Sequence, residues 1–187
     1  MNAAQEQQFS CLRNLIKTRR AIREFTEIPI PEEDIRDIIE AAIWAPSASN
    51  MNAREFVAVR DKGNIRKIKA FSPGMFTDPA YIIVLCTNEQ KALEVGGELG
   101  RDKASLMDIA VSTQNILLSA WAKGIGSCPL ASFNSTAISK ILHLPSHIRP
   151  DLLITMGYPA RVPETPERPK IDEVTFYEQY GRTEIKK

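Results

Sequence analysis

The sequence predicts a mixed α+β domain, and three observations carry that expectation. Apolar residues recur at helical spacing in several separate stretches, most clearly Ile35, Ile38, Ile39, Ala42 and Ile43. One uninterrupted apolar run, Ala80–Thr87 (AYIIVLCT), has the length of a strand buried on both faces. Proline or glycine punctuates the ends of these stretches, as at Pro46, Gly124 and Pro145. At 187 residues, with 43% hydrophobic and 25% charged side chains, the chain suits a single domain with a substantial core.

Taken in order, Phe9, Leu12, Leu15 and Ile16 predict a first helix over about Gln7–Lys17. Ile28-Pro29-Ile30-Pro31 interrupts the chain, and Pro31 suits the first turn of a second helix whose N-terminal dipole favours Glu32, Glu33 and Asp34. That helix stops before Pro46, because the residue preceding a proline avoids helical geometry. Glu55–Arg60 reads as a strand, Asn64–Phe71 as a short helix and Ala80–Thr87 as the central strand. A long helix spans about Lys103–Lys123, with the stripe Leu106, Ile109, Ala110, Thr113, Ile116, Leu117, Ala120 and Trp121, and Gly124 at its C-terminal cap. Ser127–Phe133 is a short strand or loop. Asn134 or Ser135 caps a helix that buries Ile138, Ile141 and Leu142, and Leu152–Gly157 is a last strand. Prolines at 159, 163, 166 and 169 then predict an extended arm, with a helix or turn at Val174–Tyr180. Trp44 and Trp121 fall on apolar helix faces and are expected in the core.

A formal net charge of +1 argues against broad binding of nucleic acid or anionic membrane. The start MNAAQEQQFS lacks the apolar segment of a secretory signal, and no run is long enough to span a bilayer. The odd, scattered cysteines Cys11, Cys86 and Cys128 suit reduced thiols in a cytoplasmic setting.

Against that near-neutral background, Thr18-Arg19-Arg20-Ala21-Ile22-Arg23-Glu24-Phe25 concentrates three guanidinium groups at a helix end. A planar guanidinium fork matches the oxygens of a phosphate monoester, so a local small anion suits this hook better than a polymer. Alone, such a triplet is more often a solvated turn. Trp44-Ala45-Pro46-Ser47-Ala48-Ser49-Asn50-Met51-Asn52 offers hydroxyls and amides able to reach a polyol chain or a polar ring edge, although alone it reads as an ordinary helix stop. Gly124-Ile125-Gly126-Ser127-Cys128-Pro129-Leu130-Ala131-Ser132-Phe133 lets backbone come close to a flat ligand, or simply makes a tight helix–strand turn.

The succession RRAIREF, APSASNMN, a long helix ending in GIGSCPLASF, MGYPAR and a basic, proline-rich tail resembles the nitroreductase family of FMN-dependent oxidoreductases, from about Leu15 to Tyr180. The resemblance implies a three-layer α+β fold with a central, mostly antiparallel sheet flanked by helices. It implies one domain over residues 1–187, with about 158–187 forming an arm on the partner subunit of an intertwined homodimer. FMN sites are expected at the subunit interface. By position, Arg19, Arg20 and Ala21 meet the phosphate and ribityl chain, and Arg23 lies near the pyrimidine edge. Pro46, Ser47, Ser49, Asn50 and Asn52 come from the other subunit; Pro129, Leu130 and Ala131 line the ring; Arg168 is the tail's phosphate contact. The implied activity is ping-pong reduction of nitro compounds, quinones or similar small acceptors by NAD(P)H, with hydride passing through flavin N5. No catalytic side chain is required beyond assistance from Arg23 and the Ala131 N–H, because the cofactor carries the chemistry. The same fold also hosts dehalogenation, dehydrogenation and flavin fragmentation, and a non-catalytic FMN-binding dimer is a further alternative.

This chain departs from the family pattern at three places. Ala21 stands where serine is common, and Asn52-Ala53-Arg54 stands where Gln-Pro-Trp is frequent. Only about sixteen residues, Asn88–Lys103, precede the long helix, which suggests an open substrate site. Competing motifs are weak. Gly96-Gly97-Glu98-Leu99-Gly100 lacks dinucleotide-loop spacing and reads as a surface loop, His143 and His147 flank a proline and no metal is expected, and Cys128 reads as a packing residue.

Overall fold

A computed structural model describes residues 2–184. Seven α-helices and four strands follow one another along these residues: α1 (Ala3–Thr18), α2 (Glu32–Ile43), β1 (Arg54–Val59), α3 (Lys62–Ala70), β2 (Tyr81–Asn88), α4 (Glu89–Leu99), α5 (Ser105–Ala122), β3 (Gly126–Leu130), α6 (Ser135–Ile141), β4 (Ile148–Gly157) and α7 (Ile171–Val174). The strands form one sheet in the order β1-β2-β4-β3, with every neighbouring pair antiparallel.

The apolar run in β2 is explained by layering. Its side chains alternate between two cores: Tyr81, Ile83 and Leu85 pack with α2 and α5, while Ile82, Val84 and Cys86 pack with Ile65 and Ile68 of α3 and Ile138 of α6. β4 does the same, with Ile154 on the first face and Leu153 on the second. A central antiparallel strand covered on both sides therefore reads as continuously apolar, since each fully buried aliphatic side chain is worth ~1.5–3 kcal/mol and neither face is left to water.

Local signals set most boundaries. Asn134 is the side-chain cap of α6, accepting from Ala137 N at 2.9 Å, and Asp61 caps α3 through Asn64 N at 2.8 Å. Pro31 is the residue before α2 rather than its first turn. α1 begins earlier than its apolar stripe, because Asn2 and Gln5 close a reciprocal capping box. It buries none of its residues within one chain, and Phe9, Leu12 and Ile16 are about half exposed.

Several expectations are corrected. Trp44 is not core: it caps the C-terminus of α2, beyond the buried stripe, and is 81% exposed. Trp121 is half-buried, with its indole N–H donating to Thr18 Oγ1 at 3.0 Å. In α5, Leu106 and Ala110 face outward, and the buried face instead includes Ser105, Asp108 and Ser112. The glycine-rich stretch is not a surface loop. It belongs to α4, bends at Gly97 (φ 62°), and continues through a π-helical turn, Gly100–Ala104, into α5. The interval 89–103 is thus two helical stretches joined at the Gly97 break, and Asn88, the last residue of β2, caps the first by accepting from Lys91 N at 3.0 Å. The final helix is Ile171–Val174, and of the helix or turn expected at Val174–Tyr180 the structure has the turn, with Tyr177 N–H donating to Arg182 O at 2.7 Å. Residues 160–174 are all exposed, as the proline-rich arm requires, and residues 185–187 lie outside the described chain.

Candidate functional site

The arginine hook is held by backbone, and glycine makes this possible. Leaving α1, the chain runs beside β3. Ala21 makes a parallel bridge to Ser127, and Ile22 N–H donates to Ser127 O at 3.0 Å. On its other side the arm returns: Thr26 N–H donates to Tyr158 O at 2.8 Å and Ala160 N–H to Glu24 O at 3.0 Å. The segment is seated by two close approaches. A Cβ on Gly126 would stand 2.7 Å from the fully buried Ile22, and one on Gly157 would stand 2.8 Å from Phe25. Pinning the backbone this way sends Ile22 inward and leaves Arg23 exposed.

Two adjacent cavities result. One, of about 370 Å³, is lined by Ile16, Lys17, Arg19, Arg20, Thr165, Pro166 and Arg168. The other, of about 310 Å³, is lined by Ala21, Arg23, Glu24, Arg161 and Pro163. The first has four cationic side chains in its lining and, among the described residues, no carboxylate. Burial depresses the Arg19 guanidinium below its ordinary value, and the charges of Arg168 and Arg20 push the same way. Like charges gathered without an anion cost free energy, so a ligand that brings negative charge would be favoured here. Arg20 is also a brace. It donates to the carbonyls of Lys17 and Arg19, each at 2.8 Å, and to Thr165 Oγ1 of the arm.

Beside the hook, β3 supplies Cys128, whose thiol is pushed up by burial, opposed by Arg23 and Arg19. Arg23, Phe25, Met75, Thr77, Cys128 and Leu130 surround a small recess of about 10 Å³, and Thr77 Oγ1 donates to the Arg23 carbonyl. Pro129 and Ala131 present exposed surface. Leu130 between them is 7% exposed, and its side chain packs in the core with Val84 and Ile138 as well as bordering the recess.

The loop Pro46–Asn52 stands elsewhere. It leads into β1, the far edge of the sheet, whereas the hook lies one strand beyond β3. Four strand spacings put the two roughly 19 Å apart across the sheet, and they also lie toward opposite ends of the strands. The structure therefore brings Arg19, Arg20 and Arg168 together, with Ala21 and Arg23 next to them, and does not bring Ser47, Ser49, Asn50 or Asn52 to them within one chain.

Comparison with known proteins agrees with this architecture. The sequence model of the nitroreductase family matches residues 16–73 and 67–158. The chain belongs to the nitroreductase family. Among its relatives is a protein of Archaeoglobus fulgidus named NADH dehydrogenase/NAD(P)H nitroreductase, 33% identical over 92% of both chains. Another is a Bacillus subtilis protein named FMN reductase [NAD(P)H], 26% identical over 86% of this chain and 71% of that one. The crystal structure of an NADH dehydrogenase/NAD(P)H nitroreductase from Parabacteroides distasonis superposes with a TM-score of 0.80, at 26% identity, covering 91% of this chain and 99% of that one.

Within this nitroreductase, four site-building residues escaped the sequence reading. Thr165 and Arg161 lie in the arm, where only Arg168 stood out, although MGYPAR already contained Arg161. Arg54 and Asp108 hold the loop. Arg54 replaces an aromatic residue common in the family, which was the available signal; Asp108 sits on the buried face of α5 and gave none.

Proposed function

We propose that this nitroreductase is an FMN-dependent oxidoreductase that uses NAD(P)H to reduce nitro compounds, quinones or similar small acceptors. The observation that carries the reading is the carboxylate-free cavity where Arg19, Arg20 and Arg168 meet. A phosphate monoester brings close to two negative charges and three acceptor oxygens, which relieves the repulsion on Arg19. Arg20 and Thr165 tie the arm down over this site, so phosphate binding and arm docking reinforce each other. Ala21 and the Ser127 strand leave room for the ribityl chain, Arg23 balances negative charge at the pyrimidine edge, and the backbone of Pro129–Ala131 lies along the ring. When bound, FMN supplies the two-electron chemistry, taking hydride from NAD(P)H and reducing the acceptor. The chain's own residues bind, orient and neutralise charge, and no side-chain acid–base pair is needed.

The second half of the site is assigned to a second copy of the chain. Its loop contributes Pro46, Ser47, Ser49, Asn50 and Asn52, because the loop of the same chain is too distant for a single mononucleotide to span. Unspent apolar surface supports a homodimer: Phe9, Leu12 and Ile16 on α1, Leu106, Met107 and Val111 on α5, and Val162, Ile171 and Val174 on the arm are all exposed in one chain. A helix with an unburied apolar stripe gains little from its own propensity and needs a partner surface. Three free thiols and the lack of any helix, among the described residues, long and apolar enough to cross a membrane support a cytoplasmic setting.

The test is direct. Purified protein should be yellow, sediment as a dimer, bleach anaerobically with NADH or NADPH, and recover its colour on addition of a nitroaromatic or quinone. Protein that is colourless and takes up no added FMN refutes the assignment; flavin that binds but is not bleached by either nicotinamide leaves a binding protein in place of the enzyme.

A further inference from the structure

The loop Pro46–Asn52 is held in an unfavourable shape by groups the flavin reading does not use. Three of its residues other than glycine have left-handed backbone: Ser49 (φ 49°), Asn50 (φ 51°) and Asn52 (φ 45°). Asparagine tolerates that region and serine does so less readily. Inside the loop, Asn52 N–H donates to Ser47 Oγ at 3.1 Å, and Asn52 Nδ2 donates to Asn50 O at 3.0 Å and Asn50 Oδ1 at 2.9 Å. These bonds curl the loop but do not anchor it.

Besides the Lys91 contact to Asn52 O from α4, two side chains anchor the loop from outside. From β1, Arg54 spreads its guanidinium over the carbonyls of the incoming turn: Nη1 donates to Pro46 O at 2.9 Å, and Nη2 to Ile43 O at 2.9 Å and to Ala45 O. From α5, Asp108 Oδ1 accepts from Ala48 N–H at 3.0 Å. Asp108 is only 5% exposed, and its Oδ2 is buried with no hydrogen-bond partner. Burial depresses the Arg54 guanidinium, and the nearby Asp108 charge opposes that shift. A buried carboxylate with an orphaned oxygen is a poor way to gain stability, because an apolar or amide side chain fills such a place at lower desolvation cost. What it contributes is a buried acceptor that fixes the Ala48 N–H and with it the shape of the loop.

We propose that Arg54 and Asp108 are positioning residues for the cofactor: they preset the Pro46–Asn52 loop in the conformation that receives the flavin bound by the other protomer. They touch no ligand themselves. The fork geometry of Arg54 is essential, since lysine keeps the charge but cannot serve three carbonyls in one plane. The Asp108 role is to accept the Ala48 N–H, which asparagine can also do. The proposal rests on the reading that this loop contacts flavin.

The experiment measures FMN affinity of the dimer by flavin fluorescence quenching, alongside the melting temperature of flavin-free protein, for Asn50→Ala, Arg54→Lys, Arg54→Met, Asp108→Asn and Asp108→Ala. Losing a preset binding loop should weaken FMN by about tenfold or more in Arg54→Lys, Arg54→Met and Asp108→Ala. Asp108→Asn should stay within about threefold of the parent, because the acceptor for Ala48 is retained. The arginine variants pulling apart, with lysine as good as arginine, overturns the fork argument; Asp108→Asn and Asp108→Ala falling together, or neither falling, overturns the role of the acceptor. If Asn50→Ala weakens binding while the Arg54 and Asp108 variants bind normally, this proposal alone fails. If parent protein binds FMN and Asn50→Ala binds it equally well, the assignment of the loop to the flavin site fails first.

Discussion

Gly126→Ala is the sharpest probe of how the arginine hook is placed. The added methyl would lie 2.7 Å from Cβ and Cγ1 of Ile22 and 2.8 Å from Cγ2. Carbon atoms at van der Waals contact stand ~3.5–4.0 Å apart, so the two backbones must separate by roughly 1 Å. Neither has slack: Ile22 is fully buried, and its N–H is bonded to Ser127 O at 3.0 Å on the strand that carries Gly126. Overpacking of this kind costs ~1–3 kcal/mol, which in a domain of this length lowers Tm by roughly 3–10 °C. Because Ile22 lies within the Arg19–Arg23 segment, flavin affinity should fall as well. Ile22→Ala should not rescue the variant, since the Ile22 Cβ itself is one of the close atoms. The assay is thermal unfolding of flavin-free protein together with FMN titration of Gly126→Ala, Ile22→Ala and the double variant. A Gly126→Ala protein that melts within about 1 °C of the parent and binds FMN unchanged refutes the packing argument; so does full recovery in the double variant.

Two further outcomes follow from the charges. Arg168→Ala should weaken FMN by roughly 10–150-fold, the value of one charge-assisted contact of ~1.5–3 kcal/mol, without lowering the melting temperature of flavin-free protein, because it removes a like charge from Arg19; riboflavin, which lacks the phosphate, should bind the variant as it binds the parent. Cys86 is fully buried in β2, and desolvation, with Asp151 and Glu55 adding to it, pushes its thiol up to about 12. The unfolded chain ionises this thiol near ~8.5, so it loses the proton first. The contribution is therefore complete below the ordinary thiol value and is lost as pH rises from there toward about 12, with a slope of up to about 1.4 kcal/mol per pH unit. Cys86→Ala should flatten that alkaline limb in urea unfolding across the same range, and an unchanged limb counts against Cys86 as its source.

The succession of helices and strands outside the interval 88–103, the burial of β2 on both faces, the Asn134 cap and the cationic hook at Arg19–Arg23 were legible from the chain itself, because each rests on spacing or on chemistry within a few residues. RRAIREF could be read as a cationic hook, and Arg168 could be matched to it by family resemblance. The tertiary structure alone decided what depends on distant segments meeting. It turned the interval 88–103 into a helical platform for the loop, with Met51 buried against Gly96 and Gly100 and Lys91 Nζ donating to Asn52 O at 2.9 Å. It packed the Leu130 side chain into the core with Val84 and Ile138 while Pro129 and Ala131 on either side stayed exposed. It also set Arg54 and Asp108 around one loop from residues 54 apart in the chain. Periodicity and capping are local and are written in the sequence; close backbone approach, buried charge and the separation of the arginine hook from the Pro46–Asn52 loop depend on the packing of the whole chain.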